Sequence, residues 1–136
     1  MQLKEDTISK KKRVLVVDDE PDFADIVKGN LEKEGFEIEI AYNGVEALEK
    51  VKANPPDAIG LDVMMPEKDG YEVCAELKKD EKYTDIPIVM LTAVADHVSS
   101  TRYSHWDGMN MEADDYLPKP ASADEITDSV KHLLNM

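Results

Sequence analysis

Several apolar runs in this chain end in residues that carry a charge or a hydroxyl. The closing residues are Asp18 with Asp19, Asp62, Thr92 and Lys119. Three carboxylates, a hydroxyl and an ammonium in one place would suit a hard divalent cation together with a phosphoryl group. The sequence therefore predicts a site for both, provided that the apolar runs end side by side.

The hydrophobic period of the chain indicates how these runs are arranged. Strand-like runs alternate with segments of helical period, which predicts five βα repeats and a parallel sheet with helices on both faces. The predicted strands are 13–18, 36–40, 58–61, 86–92 and 116–118. Because the strands are parallel and joined by right-handed crossovers, their carboxyl ends share one edge, where open α/β sheets bind their ligands. We therefore expect the polar side chains to meet at that edge.

Turn and capping residues mark the predicted helices. Pro21 can begin the first helix, Asn43-Gly44 turns the chain into the second, and Ser122 with Glu125 matches a capping box before the last. The apolar positions expected to face inward are Phe23, Ile26, Val27 and Leu31, then Val45, Leu48 and Val51, then Val73, Cys74 and Leu77. Residues 96–113 are weakly periodic, and a further helix is predicted there.

Length and charge restrict the class of function. A chain of 136 residues is large enough for one domain, and its net charge of −14 disfavours binding to nucleic acid and to anionic membranes. The single cysteine, Cys74, cannot form an internal disulfide, and no apolar stretch reaches the roughly 20 residues of a membrane span. We expect a cytoplasmic protein with a disordered leader at 1–12 and one domain at 13–136.

The ordered motifs resemble the receiver domain of two-component response regulators. The matching segments are Val-Asp-Asp-Glu-Pro at 17–21, Leu-Asp-Val-Met-Met-Pro at 61–66 with Asp69-Gly70, Leu-Thr-Ala at 91–93 and Ala-Asp-Asp-Tyr-Leu-Pro-Lys-Pro at 113–120. The likeness covers 13–134 and is to the stand-alone, single-domain type, such as the chemotaxis response regulator. It implies a flavodoxin-like, doubly wound fold with strand order 2-1-3-4-5 and a site at the reversal between strands 1 and 3.

The resemblance implies a role for each acidic residue. Asp62, at the end of the third strand, is the expected nucleophile and phosphoacceptor. Asp18, Asp19 and Asp62 are the expected ligands of Mg²⁺, and the resemblance adds the backbone carbonyl of Met64. Mn²⁺ is the alternative ion.

The remaining matched residues would act on the phosphoryl group or respond to it. Lys119 would supply a positive charge to the phosphoryl oxygens, and Thr92 a hydroxyl that bonds one of them. Tyr116 matches the aromatic residue that changes rotamer on phosphorylation, so Thr92 and Tyr116 form the expected switch pair. The plainer alternatives are a strand residue for Thr92 and a core residue for Tyr116.

The chain departs from the family between its fourth and fifth strands. Thr92 and Lys119 lie 27 positions apart, a few more than is usual, which predicts an insertion. Its distinctive residues are His97, Tyr103, His105, Trp106, Met109 and Met111. Because Trp and Met are favoured at interfaces, residues 96–113 are the candidate surface for a downstream protein target. A metal site at the two histidines lacks matching ligand spacing.

Taken together, the sequence predicts a phosphoacceptor that catalyses its own phosphorylation and dephosphorylation, and that is not otherwise an enzyme. The expected donor is a sensor histidine kinase or a histidine phosphotransfer protein, and phosphorylation would switch protein contacts without an output domain. Docking is expected near the first helix by family analogy. Two alternatives stay open: an interaction module that is never phosphorylated, and a Mg²⁺-dependent aspartyl-phosphate phosphatase. The phosphatase pattern requires a second acid where Met64 stands.

Overall fold

The five parallel strands of the protein form one sheet. The computed structural model describes residues 11–65, 68–91 with the backbone of Thr92, 113–118 and 122–135. The strands are β1 (Arg13–Val17), β2 (Glu37–Ala41), β3 (Ala58–Asp62), β4 (Ile88–Thr92) and β5 (Asp115–Pro118). Their order is β2-β1-β3-β4-β5, and every neighbouring pair is parallel. The predicted strand order and doubly wound architecture are confirmed.

Four helices connect or follow the strands in the described ranges. They are α1 (Pro21–Lys33), α2 (Gly44–Ala53), α3 (Gly70–Lys79) and α4 (Ala123–Leu133). Pro21 opens α1, and the Asn43 side chain accepts from the N–H of Glu46 at the start of α2. Ser122 and Glu125 form the predicted capping box before α4, and a second box that was not predicted, Asp69 with Glu72, precedes α3. Of the helix predicted at 96–113, residues 96–112 lie outside the described residues.

The helices bury the sheet on both faces. Residues of even number in β1, such as Val14 and Val16, pack with α1 and α4, whereas Leu15 and Val17 pack with α2 and α3. This alternation follows from the period of two in a strand. The largest fully buried side chains include Leu15, Leu31, Ile59, Leu61, Leu77, Ile88 and Ile126. Burying each such Leu or Ile contributes about 1.5–3 kcal/mol relative to leaving it exposed.

Apart from strand ends that differ by one residue, three details of the prediction were wrong. Ile26 is 61% exposed and Val45 is 45% exposed, although both were expected to face the core. The buried stripe of α1 is Ala24, Val27 and Leu31, and Ile26 lies 100° from Val27 around the helix. The fourth strand begins at Ile88 rather than Ile86, because the N–H of Ile86 donates to the carbonyl oxygen of Tyr83 in the preceding turn.

β2 lies at one edge of the sheet, and side chains of α2 cover part of it. The ammonium of Lys50 donates to the carbonyl oxygen of Ile40 at 2.7 Å, and Glu46 Oε1 accepts from the N–H of Tyr42 at 2.7 Å. Lys50 also lies 3.9 Å from Glu39 Oε2. The backbone groups at the carboxyl end of β2 therefore already have hydrogen-bond partners within the chain.

No helix among residues 11–65, 68–92, 113–118 and 122–135 combines the length and the apolar character that crossing a bilayer requires.

Candidate functional site

The register of the adjacent strands β1 and β3 determines where Asp18 and Asp62 lie. Val17 of β1 pairs with Leu61 of β3, so Asp18 and Asp62 occupy the next level of adjacent strands. Both positions have the same parity, so both side chains leave the sheet on the same side, and neighbouring parallel strands are about 4.8 Å apart. One carboxylate oxygen each from Asp18, Asp19 and Asp62 lies within 4.8 Å of the others. The structure therefore brings the three predicted acids together.

Backbone hydrogen bonds hold this edge of the sheet in place. The N–H of Asp18 donates to the carbonyl oxygen of Ala41 at 3.1 Å, which extends the β1–β2 ladder by one residue. The N–H of Val63 donates to the carbonyl oxygen of Leu91 at 2.9 Å and extends the β3–β4 ladder in the same way. The two central acids are thus attached to strands that are paired on both sides.

The burial of these acids favours a bound cation. Asp18 and Asp62 are 0% and 1% exposed, whereas Asp19 is exposed. Asp18 Oδ1 accepts from the N–H of Glu20 at 2.9 Å, and Asp62 Oδ1 accepts from the N–H of Met64 at 3.3 Å. Buried carboxylates that lie side by side repel each other, and proteins usually pair such charges or place a metal ion between them.

The separation of the carboxylate oxygens fits Mg²⁺. Two oxygens that bind one Mg²⁺ at about 2.1 Å can lie up to about 4.2 Å apart, and Mg²⁺ usually keeps several waters. Oxygens within 4.8 Å of one another can therefore bind the ion by a small movement or through a water. Asp18, Asp19 and Asp62 are the residues that would hold it.

The loop after Asp62 carries the predicted carbonyl ligand. Met64 is 64% exposed, and its N–H bonds Asp62 Oδ1, which places its peptide beside the acid. The N–H of Gly70 donates to the carbonyl oxygen of Val63 at 2.9 Å, so a hydrogen bond joins the two ends of the β3–α3 loop.

A salt bridge connects Lys68, near the end of this loop, to Glu76 of α3. The ammonium of Lys68 donates to Glu76 Oε2 at 2.6 Å. This hydrogen bond, with the attraction of the nearby carboxylates, raises the pKa of Lys68 above its ordinary value.

The remaining predicted residues lie on β4, on β5 and just after β5. Thr92 is the last residue of β4, and its backbone is registered with Pro118 of β5. The side chain of Thr92, residue Lys119 and the insertion at 96–112 lie outside the described residues. Tyr116 is half-buried against the core between the sheet and the α2–α3 layer, and its hydroxyl oxygen accepts from the N–H of Ala113 at 3.2 Å.

Two acids at the start of β5 have contacts that the sequence did not indicate: Asp114 just precedes the strand, and Asp115 is its first residue. Asp114 Oδ2 accepts from the ammonium of Lys78 at 3.0 Å and from the N–H of Ile88 at 2.8 Å. Asp115 Oδ2 accepts from the hydroxyl of Ser129 at 2.5 Å. Both acids belong to the Ala-Asp-Asp-Tyr motif, but nothing in the motif identifies partners so distant in sequence.

Comparisons with known proteins agree with this geometry. A family model of the response regulator receiver domain matches residues 14–131. The fold is similar to the signal receiver domain of a signal transduction histidine kinase from Syntrophus aciditrophicus, with 34% identity, a TM-score of 0.81 and coverage of 91% of this chain and 90% of that chain. A CheY-like receiver domain protein from Methanospirillum hungatei has 29% identity, a TM-score of 0.80 and coverage of 93% and 95%.

A third similar structure contains a metal ion. The response regulator protein TrrA from Thermotoga maritima, solved in complex with Mg²⁺-BeF, has 41% identity, a TM-score of 0.73 and coverage of 90% of this chain and 98% of that chain. The family match, the strand order and the acid cluster at the β1/β3 edge agree with one another. The chain belongs to the response regulator receiver domain family of two-component signalling.

Proposed function

We propose that this chain accepts a phosphoryl group on Asp62 in a reaction that requires Mg²⁺. Asp18, Asp19, Asp62 and the backbone carbonyl of Met64 are the proposed metal ligands. The observation that carries the proposal is the convergence of three carboxylates, two of them buried, at the reversal between β1 and β3. The Mg²⁺-BeF complex of the related TrrA supports the choice of ion. Mn²⁺ is the alternative that the same oxygen ligands would accept.

The chemistry is transfer of a phosphoryl group from a phosphohistidine. An oxygen of Asp62 forms a bond to phosphorus, the phosphorus–nitrogen bond breaks, and its electron pair stays with the imidazole nitrogen. The product on Asp62 is an acyl phosphate. The N–H of Met64 orients the Asp62 carboxylate, and the N–H of Glu20 orients Asp18. A bound Mg²⁺ supplies positive charge that offsets the charge of the transferred oxygens.

Three further residues complete the proposed mechanism. Lys119 provides a point charge for the phosphoryl oxygens, and Thr92 provides a hydroxyl to one of them. Tyr116 is the proposed second member of the switch, because its half-buried ring and its hydrogen bond to Ala113 connect it to the chain just before β5. Phosphorylation adds charge and acceptor oxygens, which shifts the population of the switch residues and so alters protein contacts.

The proposed partners are proteins. The donor is a sensor histidine kinase or a histidine phosphotransfer protein, and we place its docking near α1 by analogy with the family. Residues 96–113 are the proposed surface for the downstream target. We assign residues 13–136 to the receiver domain and 1–12 to a leader.

Intact-mass measurement tests the phosphoacceptor directly. The wild-type chain, Asp62→Asn and the control Asp85→Asn are incubated with acetyl phosphate, with and without Mg²⁺, under conditions that preserve an acyl phosphate. Asp85 is exposed and precedes β4, so it lies away from the carboxyl edge of the sheet. We expect one phosphoryl adduct on the wild type and on Asp85→Asn, only with Mg²⁺, and none on Asp62→Asn.

The alternatives give different results in the same experiment. No adduct from acetyl phosphate or from a phosphohistidine donor would contradict the proposal and favour the interaction module. Continuous turnover of small phosphate esters would instead favour the phosphatase.

A further inference from the structure

The first residue of α2 touches the loop that follows the phosphoacceptor. A Cβ added at Gly44 would lie 2.5 Å from the carbonyl oxygen of Lys68, and 2.9 Å from both Lys68 Cβ and Val73 Cγ2. Real Cβ atoms essentially never come within 3.0 Å of such neighbours. Because the nearest of these atoms belongs to the backbone, any side chain at position 44 must displace the Lys68 segment or α2 itself.

The Lys68 segment belongs to the β3–α3 loop, whose two ends are closely packed against Asp62. The loop begins with Val63 and Met64 and returns at Gly70, which bonds Val63. A Cβ added at Gly70 would collide with the carbonyl oxygen of Asp62 and lie 2.8 Å from Val63 Cα. The loop is therefore confined at its base by Gly70 and on its outer side by Gly44.

Such close packing is not general among the glycines of this chain. A Cβ added at Gly29 in α1 or at Gly60 in β3 would meet nothing within 4 Å. Asn43 caps α2 through the N–H of Glu46, which holds Gly44 at the start of the helix and fixes the surface on which the loop rests. The contact at Gly44 thus joins a stable helix start to a loop that carries part of the proposed site.

We propose that Gly44 is a positioning residue for the Mg²⁺ site. The close approach of α2 to Lys68 holds the β3–α3 loop, and with it the Met64 carbonyl, where that carbonyl completes the ligand set of Asp18, Asp19 and Asp62. This inference rests on the proposed function, because it assumes that these groups bind Mg²⁺. It adds that a residue outside the site sets the affinity for the ion.

Calorimetric titration of the unphosphorylated chain with Mg²⁺ tests the inference. Substitution of a residue that orients metal ligands typically weakens metal binding 10- to 100-fold. We therefore expect the dissociation constant for Mg²⁺ to be about tenfold higher in Gly44→Ala than in the wild type. The matched control Gly29→Ala, also a helical glycine, should bind Mg²⁺ like the wild type. Hydrogen exchange at the Gly70 amide should become faster in Gly44→Ala only.

The phosphorylation kinetics separate positioning from a general loss of structure. In Gly44→Ala, the Mg²⁺ concentration that gives half-maximal phosphorylation should rise, and added Mg²⁺ should recover the rate. A merely structural role would lower the unfolding midpoint and leave the affinity of the folded protein for Mg²⁺ unchanged. That result would overturn the inference.

A second pair of variants keeps the test decisive if Gly44→Ala does not fold. Lys68→Gly and Lys68→Ala both remove the ammonium, but only Lys68→Gly also removes the Cβ and loosens the backbone that Gly44 contacts. We expect Lys68→Gly to bind Mg²⁺ more weakly than Lys68→Ala, and equal affinities would overturn the inference. A wild-type chain that binds no Mg²⁺ would overturn the proposed function as well. An intact adduct on Asp62 with unchanged Mg²⁺ affinity in Gly44→Ala would overturn this inference alone.

Discussion

The ammonium of Lys78 and the carboxylate of Asp114 meet at 3.0 Å, although 36 positions of sequence separate them. The same ammonium donates to the carbonyl oxygens of Thr84 and Ile86, each at 3.0 Å, and the same carboxylate oxygen accepts from the N–H of Ile88. One half-buried cation thus connects the end of α3 to the beginnings of β4 and β5.

Replacing Lys78 with Met should destabilise the fold. The change keeps much of the side-chain volume but removes three hydrogen bonds to the ammonium, and hydrogen bonds to charged groups contribute about 1.5–3 kcal/mol each. Because the partner Asp114 is more than a third exposed and water can replace part of these bonds, their contributions do not add in full; we expect a total loss of about 2 kcal/mol in the free energy of unfolding, measured by urea denaturation. The exposed neighbour Lys79, changed to Met, is the control. Equal stabilities of the two variants would contradict the prediction.

The hydrogen bond from Ser129 to Asp115 should also contribute to stability. It joins α4 to β5 at 2.5 Å, and the buried Ser129 is the partner of a carboxylate oxygen. Ser129→Ala removes the donor, and the expected loss is about 1.5 kcal/mol. Thermal and urea unfolding would measure it, with the exposed Asp128→Asn on the same helix as control. A Ser129→Ala variant as stable as the wild type would refute this contribution.

Asp18→Asn should have opposite effects on stability with and without Mg²⁺. In a chelator, the variant should be more stable than the wild type, because it removes one of two adjacent buried carboxylates. With Mg²⁺ at about 100 times its dissociation constant, the wild type should gain about 2.7 kcal/mol and the variant much less. Unfolding midpoints in both conditions measure the reversal. The stability of Asp85→Asn should respond to Mg²⁺ like that of the wild type. If Asp85→Asn showed the same reversal as Asp18→Asn, the effect would not come from the cluster of acids around Asp18.

The pH dependence of the Lys68–Glu76 pair has a definite sign. Glu76 raises the pKa of Lys68, so the folded state favours the ammonium more than the unfolded state does. The contribution of this pair to the free energy of unfolding is complete below the ordinary lysine pKa of about 10.4. It is lost as the pH rises through the higher pKa that Lys68 has in the folded state. Glu76→Gln should therefore lower the pKa of Lys68, as measured by NMR titration of its side chain. Glu81→Gln is the control, and an equal decrease in both variants would contradict the assignment to Glu76.

The sequence predicted the strands because the relevant signals are local, whereas their order was implied by the resemblance to receiver domains. The apolar runs have strand-like patterns, and four of them end in a polar residue at the shared edge, so the sequence alone predicted that Asp18, Asp19 and Asp62 lie together. Helix faces were less certain. One residue corresponds to 100° around a helix, so Ile26 and Val45 fell within the predicted stripes although the sheet does not cover them.

Tertiary contacts account for what the sequence did not indicate. Ile86 has the hydropathy of a strand residue, yet its N–H donates to the carbonyl oxygen of Tyr83 in a turn and not to a neighbouring strand. Asn43-Gly44 was predicted as a turn, but the need for glycine arises from Lys68, which depends on the path of a later loop. Likewise, the pairing of Lys78 with Asp114 depends on how α3 packs beside the sheet.

The covered edge of β2 has a consequence for the behaviour of the protein at high concentration. A sheet that ends in an unshielded strand offers a template on which a second molecule can continue the hydrogen-bond ladder and begin an aggregate. In this chain, the ammonium of Lys50 donates to the outward carbonyl oxygen of Ile40, and the carboxylate of Glu46 accepts from the N–H of Tyr42. The helix whose first residue contacts the loop near Asp62 therefore also shields part of this edge from pairing with a second molecule, and a displacement of α2 would affect both contacts.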